Sequence, residues 1–244
     1  MKIGILTCMW KRPKVFDIFA TGINRLREKF DIIPLAVGSE GVQSRKLCQK
    51  HQFMYLERPN KPLGRKFNEG LSCFKNTDVD YVMILGSDDL ISDSLVDAYL
   101  PHMEKGKHLI GILDIYFYDL FGKSLYYWPG YGSKPADKYR KGEPLGMARC
   151  LSRSLIKQMD WMLWNDNINR GLDLSMWKKL KSYKIQPVTM RLINIGALGV
   201  DLKSEVNICS QVLYTCDKVN DSIMNETLSS KELEMIKNYK KKLR

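Results

Sequence analysis

Apolar residues occur along this chain in short unbroken runs, separated by stretches in which they recur every three or four positions. Runs at residues 2–8, 31–37, 52–57 and 81–85 have the length of single strands, and the last, Tyr81 to Leu85, suits a strand covered on both faces. Between the first two, Phe16, Phe19, Ile23 and Leu26 fall on one face of a helix predicted over residues 15–29. Further helices are predicted over 42–51 and 65–74, after the breakers Gly38-Ser39-Glu40-Gly41 and Pro59, Pro62 and Gly64. Strand and helix alternate, which predicts an α/β fold with a mostly parallel central sheet and helices on both faces.

The second half is less regular. A helix over 94–103 leads to a strand over 108–118, then a turn at Gly122-Lys123-Ser124 and a returning strand at 125–128. Trp128 to Pro135 is rich in glycine, proline and aromatic residues and reads as a loop. A short strand at 145–151 precedes a helix capped by Ser152 and a polar turn at 165–170. Gly171-Leu172-Asp173 opens a helix to about residue 183, and a strand is predicted over 186–195. Residues 196–229 show no readable period, and a basic final helix starts at Ser230. The expected organisation is a main domain over residues 1–200 with a helical C-terminal extension over 201–244.

Composition adds limits. At 244 residues, 44% hydrophobic and 27% charged, the chain can bury a substantial core. Cysteines at 8, 48, 73, 150, 209 and 216 have no CxxC spacing; free thiols in a reducing compartment are expected, and a zinc site is not. No apolar run reaches the ~18 residues of a membrane span, the N-terminal run is too short for a secretory signal, and a cytoplasmic location is expected. The formal charge of +12 favours anionic partners, although part of it is the solvated run Lys237, Lys240, Lys241, Lys242 and Arg244.

The fourth strand ends at Gly86-Ser87-Asp88-Asp89. Two adjacent carboxylates at the carboxyl end of a strand in an open α/β sheet stand where such sheets bind ligands, and their mutual repulsion is relieved by a divalent cation. As an alternative, Asp88 or Asp89 caps the helix that follows. The three histidines have no ligand spacing.

Four segments in order resemble the GT-A fold glycosyltransferases, in particular family 2: residues 5–13, the segment Gly64-Arg65-Lys66-Phe67-Asn68-Glu69-Gly70, the Gly86-Ser87-Asp88-Asp89 element, and Gly171-Leu172-Asp173. The resemblance covers residues 2–195 and implies a Rossmann-like GT-A domain. It implies a hexosyltransferase-like enzyme that moves a sugar from a nucleotide diphosphate, most simply a UDP-sugar, to an acceptor hydroxyl with inversion. By that resemblance Thr7, Met9, Arg12, Glu40, Arg65, Asn68 and Ser87 bind the nucleotide sugar, Asp88 and Asp89 hold Mn²⁺ or Mg²⁺, and Asp173 is the general base. Lys11, Arg12, Arg65 and Arg149 are candidates to stabilise the departing diphosphate, and Trp128, Tyr131 and Trp164 to form an apolar platform. The chain departs from the pattern at Gly86, where an acid contacting the ribose is usual, at Leu172, where a second acid is usual, and after residue 37, where only Glu40 is acidic.

The acceptor is open between a modified DNA base and a saccharide. Two other readings compete: nucleotidyl transfer, which expects a glycine-rich loop that residues 7–13 lack, and a catalytically inactive nucleotide or nucleic-acid binding module.

Overall fold

The computed structural model describes residues 1–132, 134–204 and 216–240. The first half follows the predicted alternation: β1 (Ile3–Cys8), α1 (Pro13–Arg27), β2 (Ile32–Gly38), α2 (Val42–Lys50), β3 (Met54–Glu57), α3 (Leu63–Cys73) and β4 (Tyr81–Ile84). Pro13 opens α1 at a position where its missing N–H costs nothing.

Beyond β4 come β5 (Asp89–Ile91), α4 (Asp93–Glu104), β6 (Leu109–Ile112), β7 (Ile115–Asp119), β8 (Ser124–Trp128), β9 (Arg149–Ser152) and α5 (Arg153–Gln158). The chain continues with α6 (Leu172–Ser182), β10 (Val188–Met190), α7 (Leu192–Ile195), β11 (Gly199–Lys203), β12 (Asp217–Val219), α8 (Ser222–Thr227) and α9 (Ser230–Lys237). Seven strands form the main sheet in the order β10-β6-β9-β4-β1-β2-β3, parallel except for β9, which runs antiparallel to both its neighbours. A second sheet has the order β12-β8-β7-β11-β5.

Alternate residues of the central strands enter cores on opposite faces of the main sheet. Ile3, Ile5 and Met83 face α1, while Leu6, Val82 and Ile84 face the side with Leu71, Trp164 and Trp177. This two-sided burial is why these strands read as continuous apolar runs.

Three expectations change. The strand predicted over 108–118 is two strands in different sheets, broken at Leu113-Asp114. Asp114 is fully buried, and its carboxylate accepts from the Leu192 amide at 2.6 Å, the Ile193 amide at 3.4 Å and the Tyr127 hydroxyl at 3.0 Å. A buried carboxylate needs such donors, and bending the chain there supplies them. The strand predicted over 186–195 is the three-residue β10 followed by α7. The segment without readable period contributes β11, which spans the boundary expected at residue 200 and lies between β7 and β5.

Among the described residues no helix is long and apolar enough to cross a membrane. Cys8, Cys48, Cys73, Cys150 and Cys216 are free thiols; Cys209 lies outside the described residues, as do Lys241, Lys242 and Arg244 of the basic run.

Candidate active site

At the carboxyl end of β4 the chain turns tightly. The Asp89 amide donates to the Gly86 carbonyl at 3.2 Å, and the Asp89 carboxylate accepts from the Gly86 amide at 2.5 Å. The turn sends the chain into β5, which pairs antiparallel with β11 so that Asp201 stands opposite Asp89. The Asp88 carbonyl accepts from the Leu202 amide at 2.8 Å, tying the turn to β11 as well. Asp88, Asp89 and Asp201 therefore converge, each offering a carboxylate oxygen within 4.8 Å of the others.

Two cations share the cluster. The Arg12 guanidinium pairs with Asp88 and donates to the Ser87 hydroxyl at 3.1 Å, and Lys203 bonds Asp201 at 2.5 Å. Burial raises the Asp89 carboxyl well above the usual carboxylate range, and Asp88 and Asp201 push it further. Asp201 is likewise raised, first by burial and then by Asp88, with Lys203 and Arg12 opposing. Burial works against the Arg12 charge, yet Asp88, with Asp201 and Asp89 behind it, outweighs it and raises its pKa.

The acids stand at one side of a cleft of about 600 Å³. Asp173 lines it too, from the first turn of α6, whose N-cap Gly171 takes the left-handed conformation at φ 69°. The Asp173 carboxylate lies directly on the backbone of Gly146: a Cβ at Gly146 would come within 2.0 Å of it. Behind it, Arg149 is completely buried and donates to the carbonyls of Leu145 and Asp173, each at 3.2 Å, and to that of Pro144. Arg149 thus holds the start of α6 and does not line the cleft. Trp10, Phe67, Trp164, Trp128 and Tyr131 give the cleft aromatic surfaces, and the Phe67 and Trp164 rings sit 5.0 Å apart.

The residues singled out from the sequence divide. Arg12, Ser87, Asp88, Asp89 and Asp173 line the cleft together. Thr7, Met9, Glu40, Arg65 and Asn68 do not. Thr7 is buried in β1, and its hydroxyl has no hydrogen-bond partner among the described residues. Met9 is a core residue whose carbonyl accepts from the Lys66 ammonium at 3.0 Å. Glu40 accepts from the Lys11 amide at 2.8 Å and so closes the loop after β1. Arg65 is half exposed on another surface, 3.9 Å from Asp166. Asn68 uses both ends of its carboxamide on the segment at 163–166, donating to the Trp164 carbonyl and to Asp166 and accepting from the Leu163 and Trp164 amides.

Lys66, next to Arg65, takes the inward position. It lines the cleft, is 1% exposed, and bonds the Met9 carbonyl, Ser39 at 2.6 Å and Asn60 at 3.2 Å. Burial lowers its pKa. Asp201 and Lys203 are the members of the site that sequence reasoning missed; the signal was an acid between apolar neighbours in Gly199-Val200-Asp201-Leu202-Lys203.

The donor set suits a hard divalent ion. All three candidate ligands are carboxylates, and Asp201 Oδ1 is a buried oxygen with no hydrogen-bond partner among the described residues.

No protein-family model and no curated protein matches the chain. Solved structures do. TarS of S. aureus (residues 1–349) superposes with a TM-score of 0.52 at 13% identity, over 84% of this chain and 59% of TarS. This chain therefore spans little more than half the length of that structure. The 4-diphosphocytidyl-2C-methyl-D-erythritol synthase of Anaerococcus prevotii superposes with a TM-score of 0.50 at 9% identity, over 78% of this chain and 88% of its own. CMP:2-keto-3-deoxy-manno-octonic acid synthetase, complexed with CTP, gives 0.50 at 9%, over 87% and 95%. At these identities the likeness is one of fold: the chain has the GT-A-like, Rossmann-like architecture that its motifs resemble.

Proposed function

We propose that this protein is a divalent-metal-dependent glycosyltransferase that moves a sugar from a nucleotide diphosphate to an acceptor hydroxyl with inversion. One observation carries the reading: a single cleft is lined both by the acids gathered at the end of β4 and by Asp173 at the start of α6. Asp88, Asp89 and Asp201 would hold Mn²⁺ or Mg²⁺. When bound, such an ion neutralises charge on a diphosphate and stabilises the charge that grows as it departs.

The chain's own groups supply the rest. Arg12 and Lys203 add positive charge beside the acids, where a diphosphate would gain from it. Asp173, fixed between Gly146 and the Arg149 anchor, accepts the proton of the acceptor hydroxyl as that oxygen attacks the anomeric carbon. The aromatic surfaces exclude water and suit the apolar face of a sugar or a base.

The test is to incubate the protein with a panel of nucleotide sugars and Mn²⁺ and follow donor hydrolysis in the absence of acceptor. Slow cleavage of one donor, lost on chelation, is the expected result. Asp173→Asn should then abolish transfer to an acceptor while donor binding persists. Unaltered transfer would remove Asp173 from the base role. Release of pyrophosphate from a nucleoside triphosphate, with no sugar donor cleaved, would favour nucleotidyl transfer. Tight DNA binding with no donor bound would favour the binding module, and its affinity should fall steeply with added salt.

A further inference from the structure

We propose that Arg12 and the divalent cation are alternative partners of Asp88, and that exchange between them makes cation binding depend on arrival of the diphosphate. This rests on the site being one for a metal and a nucleoside diphosphate.

Arg12 sits at the N-cap of α1, where its carbonyl accepts from the Phe16 amide at 2.9 Å. Its backbone is thereby fixed, while its side chain reaches the turn after β4. The guanidinium engages one carboxylate oxygen of Asp88 and the Ser87 hydroxyl, and all three residues line the cleft. Its side chain is 14% exposed, against 13% for Asp88, so the pair is shielded from screening by water. An ion bridging Asp88, Asp89 and Asp201 would face that guanidinium at close range, and like charges so placed repel strongly in a shielded site.

The charge balance gives the direction. Arg12 and Lys203 already pair with two of the three carboxylates, so much of the negative charge in the cluster is offset before any ion arrives. A divalent ion added alone would leave the cluster with an excess of positive charge. A diphosphate, with at least two negative charges, brings the balance back, and it offers Arg12 a new partner as Asp88 turns to the metal. Arginine's planar fork suits both carboxylate and phosphate, so the exchange sacrifices little hydrogen bonding. Cation and diphosphate should therefore each raise the affinity of the other by the same factor. Arg12 is the coupling residue.

The experiment is Mn²⁺ binding to the full chain, read from the electron paramagnetic resonance signal of free Mn²⁺, with and without each of UDP, GDP, CDP and ADP. The wild type should bind Mn²⁺ weakly alone and more tightly with at least one diphosphate. Arg12→Met should bind Mn²⁺ alone about tenfold more tightly, since a repelling charge is gone, and should gain less from the diphosphate. Arg12→Lys, which keeps the charge on a shorter and more mobile stem, should fall between and guards against a folding defect in the first variant. Asp88→Asn should lose Mn²⁺ binding. If Asp88→Asn loses it and neither Arg12 variant tightens it, the exchange is wrong and the metal site stands. If no variant binds Mn²⁺, with or without a diphosphate, both fall.

Discussion

Gly86 shows how a departure from a family pattern becomes intelligible at a single residue. A Cβ there would lie 2.8 Å from the Asp88 carboxylate and 3.1 Å from that of Asp89, so any side chain, and an acid above all, would displace the converging carboxylates. The room for a third acid on this turn has been given up, and β11 brings Asp201 to the cluster instead. Gly86→Ala should therefore turn both carboxylates without unfolding the chain. Its backbone is not in the left-handed region, and alanine in a compatible conformation stabilises by about 0.4–1 kcal/mol. The expected outcome is roughly tenfold weaker Mn²⁺ binding, or about 1.4 kcal/mol, with a melting temperature within a few degrees of wild type. A titration and a thermal melt on the same sample decide it. At this scale the sequence was informative about which residues share the cleft where candidates are adjacent, as at Ser87-Asp88-Asp89, and where an acid opens a helix, as at Asp173. It was uninformative about which of two neighbours points inward. Arg65 and Lys66 are equivalent as residue types, and only the packing of α3 sends one into the cleft and the other toward Asp166.

Among elements, long runs were legible and short ones were not. β1, β2 and β4 are buried on both faces, so their apolar character is continuous, and helices alternate with them and with the half-exposed edge strand β3. β5 and β11 have three and five residues and carry acids, so no periodicity marks them. The break between β6 and β7 was hidden for a related reason: one buried aspartate in an apolar run does not show that the chain changes sheet. Contacts between elements also set acid sensitivity. Asp17 on α1 bonds Lys50 at the end of α2 at 2.8 Å and His51 just past it at 2.7 Å. Burial works to raise its carboxyl pKa, but the bonds to Lys50 and His51 outweigh it and the net shift is downward. A carboxyl depressed in the fold contributes stability that is complete above its ordinary value of 3.8 and is lost as pH falls through the lower folded value. Asp17→Asn should accordingly lower stability at pH 7 by about 0.5–1 kcal/mol, given partial exposure, and shrink the difference from wild type below pH 3.8. Urea unfolding at the two pH values measures this.

For the molecule as a whole, the C-terminal helix is fastened to the start of the chain. Glu232 is completely buried, caps α9 through Ser229, and accepts from Arg25 of α1 at 2.8 Å; Arg25 also pairs with Asp93 and donates at 2.7 Å to the carbonyl of Ile91, the last residue of β5. Partners 207 positions apart leave no mark in a single sequence, which is why α9 reads there only as a basic helix. Glu232→Ala should destabilise the protein by about 2–4 kcal/mol, because it removes a cap and leaves Arg25 short of one carboxylate. Mn²⁺ affinity should be retained in the fraction that stays folded, since Glu232 is not among the residues lining the cleft. Calorimetry and the Mn²⁺ titration together test this.

The placement of Asp201 on β11 also has a consequence for biosynthesis. Residues 88 and 89 leave the ribosome well before residue 201, so a nascent chain carries two acids that have not yet met their third. If the three acids hold a divalent ion as proposed, then until the strand at 199–203 slots between β7 and β5 such a chain would lack part of its grip on that ion, and one clipped upstream of that strand would not acquire it. Competence for catalysis would then be conferred late, and uptake of the ion would report that the polypeptide has finished assembling.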